Sequence, residues 1–180
     1  MPETESLKTI CLPGLISPHE DIYIPLLPGI IPVHNPPDDS IMLAIHDGYI
    51  IFLKCFQLNK DAEEQINELN DEHKKLIESY TYSTSGFKHF SDVINTHHNI
   101  TFHVYEAEIE KKFENEFFVM NILNIYFKGT KKNLYKLVIT TGITSTKDEK
   151  KIEKIKMKKK DDVFQLMERF ALPITKIYVP

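Results

Sequence analysis

The chain has no tryptophan, two cysteines, six glycines and a single arginine, Arg169, among its 22 basic residues. Each shortage removes a class of function. Cys11 and Cys55 are too few for a disulfide framework or a cysteine-rich zinc site. Cys55 stands in an apolar run and reads as a small buried hydrophobe. Bidentate recognition of phosphate or guanine leans on arginine, so a chain whose cations are nearly all lysine is poorly equipped for it. The glycines form no phosphate-cradling cluster. No apolar run approaches the ~20 residues of a membrane-spanning helix. The polar, acidic opening at residues 1–8 lacks the pattern of a secretory leader, which makes the cytoplasm the expected location.

What is present suits an ordinary folded domain: 180 residues, 42% hydrophobic, 27% charged, with a formal net charge of -4. That mild charge gives no bulk attraction to nucleic acid or anionic membrane. Residues 1–39 carry Pro13, Pro18, Pro25, Pro28, Pro32, Pro36 and Pro37. The prolines predict an extended, loop-like segment lying along the domain, with a short edge strand at 22–26. The domain proper is expected over 40–180. Residues 41–46 and 49–56 flank Asp47-Gly48, a dipeptide suited to a two-residue hairpin turn that sets Ile45 opposite Ile50 and Leu43 opposite Phe52. A helix is expected over 61–80, with Asp61 and Glu64 as a capping box and Ile66, Leu69, His73, Leu76, Ile77 and Tyr80 on one face.

A short strand at 87–93 precedes a three-strand meander, 100–110, 116–127 and 133–143, rich in β-branched and aromatic residues. Residues 144–160 turn strongly basic and read as a mobile lysine-rich loop or hairpin extension. A second helix is expected over 161–172, ended by Pro173. The fold class is therefore α+β: a single antiparallel sheet with a long helix and a closing helix.

No constellation carries catalytic or cofactor chemistry past its plainer explanation, so no catalytic residue, metal site or cofactor is assigned. Among the eight histidines, His97-His98, His103 and His89 are the metal candidates, but their spacing fits no known ligand pattern. Ser85-Gly86-Phe87-Lys88 has S-x-x-K spacing without the helix start or companion elements that chemistry needs. Cys11 and His19 lack an orienting partner. Glu106, Glu108 and Glu110 share one strand face, where solvated charge is commoner than a carboxylate pair. The lysines Lys150, Lys151, Lys154, Lys158, Lys159 and Lys160 could contact a phosphate backbone. No aromatic residue interleaves with them for base stacking, and a solvated face is favoured over nucleic-acid binding.

With simple hairpin registers, Tyr105, Ala107, Ile109, Val119, Leu123, Ile125, Tyr135, Leu137 and Ile139 share one face, expected to lie beneath both helices. The reverse face then carries Ile100, Phe102, Val104, Phe118, Met120, Ile122, Tyr126 and Val138, interrupted by Glu106, Glu108, Asn124 and Lys136. Either another layer, the proline-rich opening or the first hairpin, covers that mixed face or it is a groove for a partner, and a one-residue slip would exchange the faces. Phe102, Val104, Phe118, Met120, Ile122, Tyr126 and Val138 are the expected partner-binding residues.

The order Leu27-Pro28-Gly29, the 41–56 hairpin, the helix from Asp61, the meander ending in Leu134-Tyr135-Lys136-Leu137-Val138-Ile139-Thr140 and the last helix resembles the PsbP-like sandwich. The DcrB-type chaperones of secreted bacterial effectors share that fold. Ile30 and Ile31 stand where such chaperones often carry a tryptophan, and the lysine-rich 144–160 stretch also departs from the pattern. The resemblance implies a non-enzymatic protein-binding module: an effector chaperone, an immunity-type protein or an accessory subunit. Its partner would be another protein, such as a toxin or secreted effector, or a second copy of the chain. The alternative is a nucleic-acid-associated protein acting through Lys147–Lys160.

Overall fold

A computed structural model describes residues 8–12, 21–26, 30–33, 41–45, 50–95, 100–128, 133–171 and 177–178. Five strands come first: β1 (Lys8–Leu12), β2 (Asp21–Leu26), β3 (Ile30–Val33), β4 (Ile41–Ile45) and β5 (Ile50–Gln57). Helix α1 (Ala62–Ser79) follows, then β6 (Ser83–Thr84), β7 (Lys88–Asn95), β8 (Ile100–Phe113), β9 (Glu116–Lys128), β10 (Asn133–Thr140) and β11 (Thr144–Thr146). A 3-10 turn at Glu149–Lys151 leads into α2 (Ile152–Ala171), and β12 (Ile177–Tyr178) closes the chain. The fold is α+β, as the sequence predicts.

The main sheet is antiparallel, in the order β3-β4-β5-β10-β9-β8-β6, with β7 also on β8 and β11 also on β9. The single sheet expected is corrected to two, because strands β1, β2 and β12 form a separate three-stranded sheet in which β2 is central rather than an edge. The proline-rich opening thus contributes strands to both sheets. The Asp47-Gly48 turn lies outside the described residues. Its expected pairing is corrected by one position, because Ala44 pairs with Ile50 and Met42 with Phe52. A two-residue turn at 47–48 cannot make that parity.

A larger correction concerns the helices, which lie on opposite faces of the sheet. On one face, Ile66 of α1 packs on Tyr126 and Leu134, and Ile77 packs on Ile109, Ile122 and Val138. On the other face, Lys156 and Lys160 of α2 reach Glu106, Glu108 and Glu110 of β8. The cause is the β8–β9 turn. The sequence breaks the strands at 111–115, whereas β8 continues to Phe113, which pairs with Glu116 across a two-residue turn. Odd-numbered residues of β8 therefore sit beside even-numbered residues of β9, as in Ile109↔Met120 and Ala107↔Ile122. Tyr105, Ala107 and Ile109 share the α1 face with Met120, Ile122 and Tyr126. Phe102 and Val104 share the α2 face with Leu123 and Ile125.

A further correction is that residues 144–160 are not a loop. They comprise β11, the 3-10 turn and the first nine residues of α2, which begins at Ile152 rather than near 161. Lysine is a good helix former, and Ile152, Ile155 and Val163 recur near helical spacing. The Asp148 carboxylate accepts from the Lys150 N–H and caps the entry.

The core is buried on both sheet faces. Phe102, Ile109, Ile125, Phe127, Leu134, Leu137 and Ile139 are fully enclosed, and the Phe102, Phe127 and Tyr135 rings follow one another at 5.1 and 5.2 Å. At the β8–β9 turn, Glu114 adopts φ 55, the left-handed region that favours glycine. Glu114→Gly is therefore expected to stabilise the fold by about 1 kcal/mol, read as a higher urea midpoint. A lower midpoint would contradict the turn assignment.

Candidate functional site

The least ordinary chemistry lies between α1 and the sheet. The capping bond expected from Asp61 is present, its carboxylate accepting from the Glu64 N–H at 3.3 Å. From there the inward face of α1 carries Gln65, Ile66, Asn70, His73 and Ile77, so polar groups alternate with apolar ones. Opposite them stand Asn124 and Tyr126 of β9 and Lys136 of β10. Tyr126 donates its hydroxyl to Asn70 Oδ1 at 2.7 Å, and Asn124 Nδ2 donates to the same oxygen at 3.0 Å. Asn124 Nδ2 also lies 3.1 Å from His73 Nδ1, and Lys136 Nζ lies 3.2 Å from that nitrogen. Gln65 closes the near end by donating to the Gln57 carbonyl at 3.1 Å.

Both groups that approach His73 Nδ1 are donors, so the ring must offer a lone pair there and is held neutral. Burial, with the Lys136 charge added, lowers the His73 pKa to about 3. Lys136 is only 7% exposed. Burial, with the neighbouring Lys54 charge added, lowers its pKa to about 8. Burial also raises the Tyr126 hydroxyl well above its ordinary range. His73 stacks on Phe87 at 4.9 Å. Among the described residues the Asn124 Oδ1 atom has no hydrogen-bond partner. A neutral imidazole that spends its lone pair on two donors is not arranged as a general base. The seam orients α1 on the sheet.

On the opposite face the carboxylate row and the lysines, weighed separately in the sequence, meet each other. Lys156 Nζ lies 2.7 Å from Glu110 and 3.8 Å from Glu108, and Lys160 Nζ lies 3.2 Å from Glu106. Partial burial works against the Lys156 charge, but the Glu110 and Glu108 carboxylates outweigh it and raise its pKa. Glu106 is 8% exposed and also accepts from Asn121 Nδ2 at 3.1 Å. Lys159 donates to the Gly142 carbonyl, and burial lowers its pKa. Lys150, Lys151, Lys154 and Lys158 stay exposed. The expected basic cluster is thus divided, with Lys159 and Lys160 turned to the sheet and the other four facing water.

The expected partner-binding residues are divided too. Phe102 and Val104 are enclosed on the α2 face, whereas Tyr126, Ile122 and Val138 are buried on the α1 face. Phe118 and Met120 share that second face and remain half-buried toward the β8–β9 turn. The seven do not form one open sheet surface.

Among the histidine candidates, His97 and His98 lie outside the described residues. A bulge at Phe90 brings His89 and Asp92 to the same side of β7. His89 Nε2 and His103 Nδ1 each stand 2.9 Å from Asp92 Oδ1. The His89 hydrogen bond, reinforced by His103, lowers the Asp92 pKa. Among the described residues no group of three or more histidine, cysteine, aspartate or glutamate side chains is placed to hold a metal ion. Ser85 and Lys88 are both exposed, and Gly86 between them has φ 92. His19 lies outside the described residues. No described helix is long and apolar enough to cross a membrane.

No protein-family model matches the chain, and no curated protein matches it.

Two outcomes follow from the seam. The unfolded chain binds a proton at His73 near pH 6.5 and the native chain only near pH 3, so stability falls as pH drops through that window. The loss from this one group is about 3 kcal/mol by pH 4. His73→Gln should flatten the dependence in urea titrations, whereas an unchanged slope would remove His73 as its source. Lys136 bears the opposite kind of burden, a charge kept out of water at neutral pH. Lys136→Met is expected to raise stability at pH 7 by about 1–2 kcal/mol, and a fall would show that the ammonium is held favourably.

Proposed function

We propose that the chain is a non-enzymatic protein-binding module built on a PsbP-like sandwich, and that it engages its partner at the end of the sheet where β8 turns into β9. The element order supports the sandwich, as does a helix on each face of the main sheet. The partner class that the resemblance points to is a toxin or secreted effector met in the cytoplasm.

The observation that carries the binding surface is where exposed apolar side chains gather. Phe113 at the turn is 59% exposed, Tyr80 and Leu76 at the end of α1 are 65% and 53% exposed, and Ile143 beside β11 is 53% exposed. Ile77, between Leu76 and Tyr80, belongs to the buried cluster against which Met120 and Tyr82 pack, and Ser83 just beyond α1 pairs with Glu110 near the turn. Lys111 lies over the Tyr82 ring at 5.3 Å and Lys112 over the Phe117 ring at 5.3 Å, so the turn presents aromatic rings edged by lysine. Single exposed hydrophobes are ordinary, but several gathered at one end mark a contact surface. Phe118 and Met120 complete it.

A photo-crosslinking benzophenone side chain at position 113, introduced in the native cells, tests this reading. One discrete protein adduct is expected, lost on adding Phe118→Asp and not obtained from the exposed position Lys154. No adduct at 113, or equal adducts from both positions, would contradict the surface.

A further inference from the structure

Lys136 occupies a place that suits an amine better than an ammonium. It lies mid-strand on the α1 face, 7% exposed, with Lys54 of β5 beside it on one side and Tyr126 of β9 on the other. Its Nζ reaches the lone pair of His73 Nδ1 at 3.2 Å and stands 6.0 Å from the centre of the Tyr126 ring. A neutral amine makes the same bond to that imidazole, since one N–H suffices. Asn124 shares the His73 nitrogen through Nδ2, and its own Oδ1 is buried without a partner among the described residues. A primary amine, an amide oxygen lacking a donor and a second cation are thus gathered in one enclosed seam. We propose that Lys136 is a carbamylation site, its amine taking up carbon dioxide to give a carbamate beneath α1.

Enclosure selects the reagent. A phosphate or carboxylate would have to shed its hydration to enter the seam, whereas carbon dioxide is small, uncharged and apolar. The Nζ lone pair forms a bond to the carbon, one C=O π pair moves onto oxygen, and one Nζ proton leaves to water. No oxidant, reductant or further reactant enters. Burial and the Lys54 charge lower the Lys136 pKa to about 8, so the unprotonated amine this step needs is present near neutral pH. The product replaces a cation beside Lys54 with an anion, which ends the like-charge opposition there. Glu72 of α1 is the charged group that works against it. The carbamate nitrogen keeps one N–H, a donor for His73 Nδ1 or for Asn124 Oδ1. His73 in turn loses the neighbouring positive charge that adds to its low pKa. This site is separate from the surface at the β8–β9 turn and does not depend on it.

The test equilibrates the full chain with carbon-13-labelled carbon dioxide and bicarbonate at about pH 7.5, where an amine of pKa about 8 is partly unprotonated, and reads carbon nuclear magnetic resonance. One carbamate carbon signal is expected that persists in Lys158→Met, at an exposed position, and is lost in Lys136→Met. Identical spectra from the wild type and Lys136→Met would overturn the proposal. Should Lys136→Met fail to fold, the wild-type chain decides, through alkylation that traps the carbamate as its ester and peptide mapping that locates it. At that pH an amine of pKa about 8 is unprotonated on the order of a hundred times more often than a lysine of ordinary pKa. Trapped adduct at Lys136 must then exceed that at Lys158 about a hundredfold, and equal trapping at the two would overturn the proposal.

Discussion

The two-residue turn at Glu114 and Asn115 is the constraint on which the rest depends. By pairing Phe113 with Glu116 it sets β8 against β9 with odd residues beside even ones. In a strand every side chain alternates faces, so this one parity sends Glu106, Glu108 and Glu110 to one side and Tyr105, Ala107 and Ile109 to the other. A turn one residue longer would place the carboxylates beneath α1, beside Lys136 and His73, and would leave the α2 lysines facing an apolar strand. Each helix then finds its own face through the chemistry already waiting there.

Both helix–sheet interfaces share a design. Each sets polar groups between buried apolar ones: Ile66 and Ile77 around Asn70 and His73 on one side, Ile152 and Val163 around Lys156 and Lys160 on the other. Burying such groups costs free energy unless they are paired, so they contribute less to stability than to the choice of one docking over its neighbours. The two seams differ in kind. Beneath α1 the groups are enclosed and held largely by hydrogen bonds, with the buried Lys136 cation among them. Beneath α2 they are ions, Glu108 and Glu110 partly open to water and Glu106 buried.

Much of the fold was legible because it rests on local pattern. The α+β class and the meander strands follow from residue type and periodicity, and the first helix lies within the stretch bounded by its Asp61 cap. The faces were not legible, because they depend on turn length, and Glu114 in a left-handed conformation is not a residue type that announces a tight turn. The second helix was obscured by its own lysines: a basic run reads as solvated until Glu106, Glu108 and Glu110 are placed opposite it. For the candidate sites, Asn124 and Lys136 showed only as interruptions of an apolar set. That they converge with His73 and Asn70 required pairing across 51 to 63 residues of sequence. Phe118 and Met120 were visible as surface candidates, but Phe113, which carries the exposed apolar end, fell in an expected polar break.

The most direct measurement is the pattern of cross-strand Hα–Hα contacts between β8 and β9 by nuclear magnetic resonance. Contacts should fall only between the non-hydrogen-bonded pairs of the observed register, Glu110 with Val119, Glu108 with Asn121 and Glu106 with Leu123. Contacts joining Ile109 to Val119 instead would move the glutamates to the α1 face, and the two-sided architecture would fail with them.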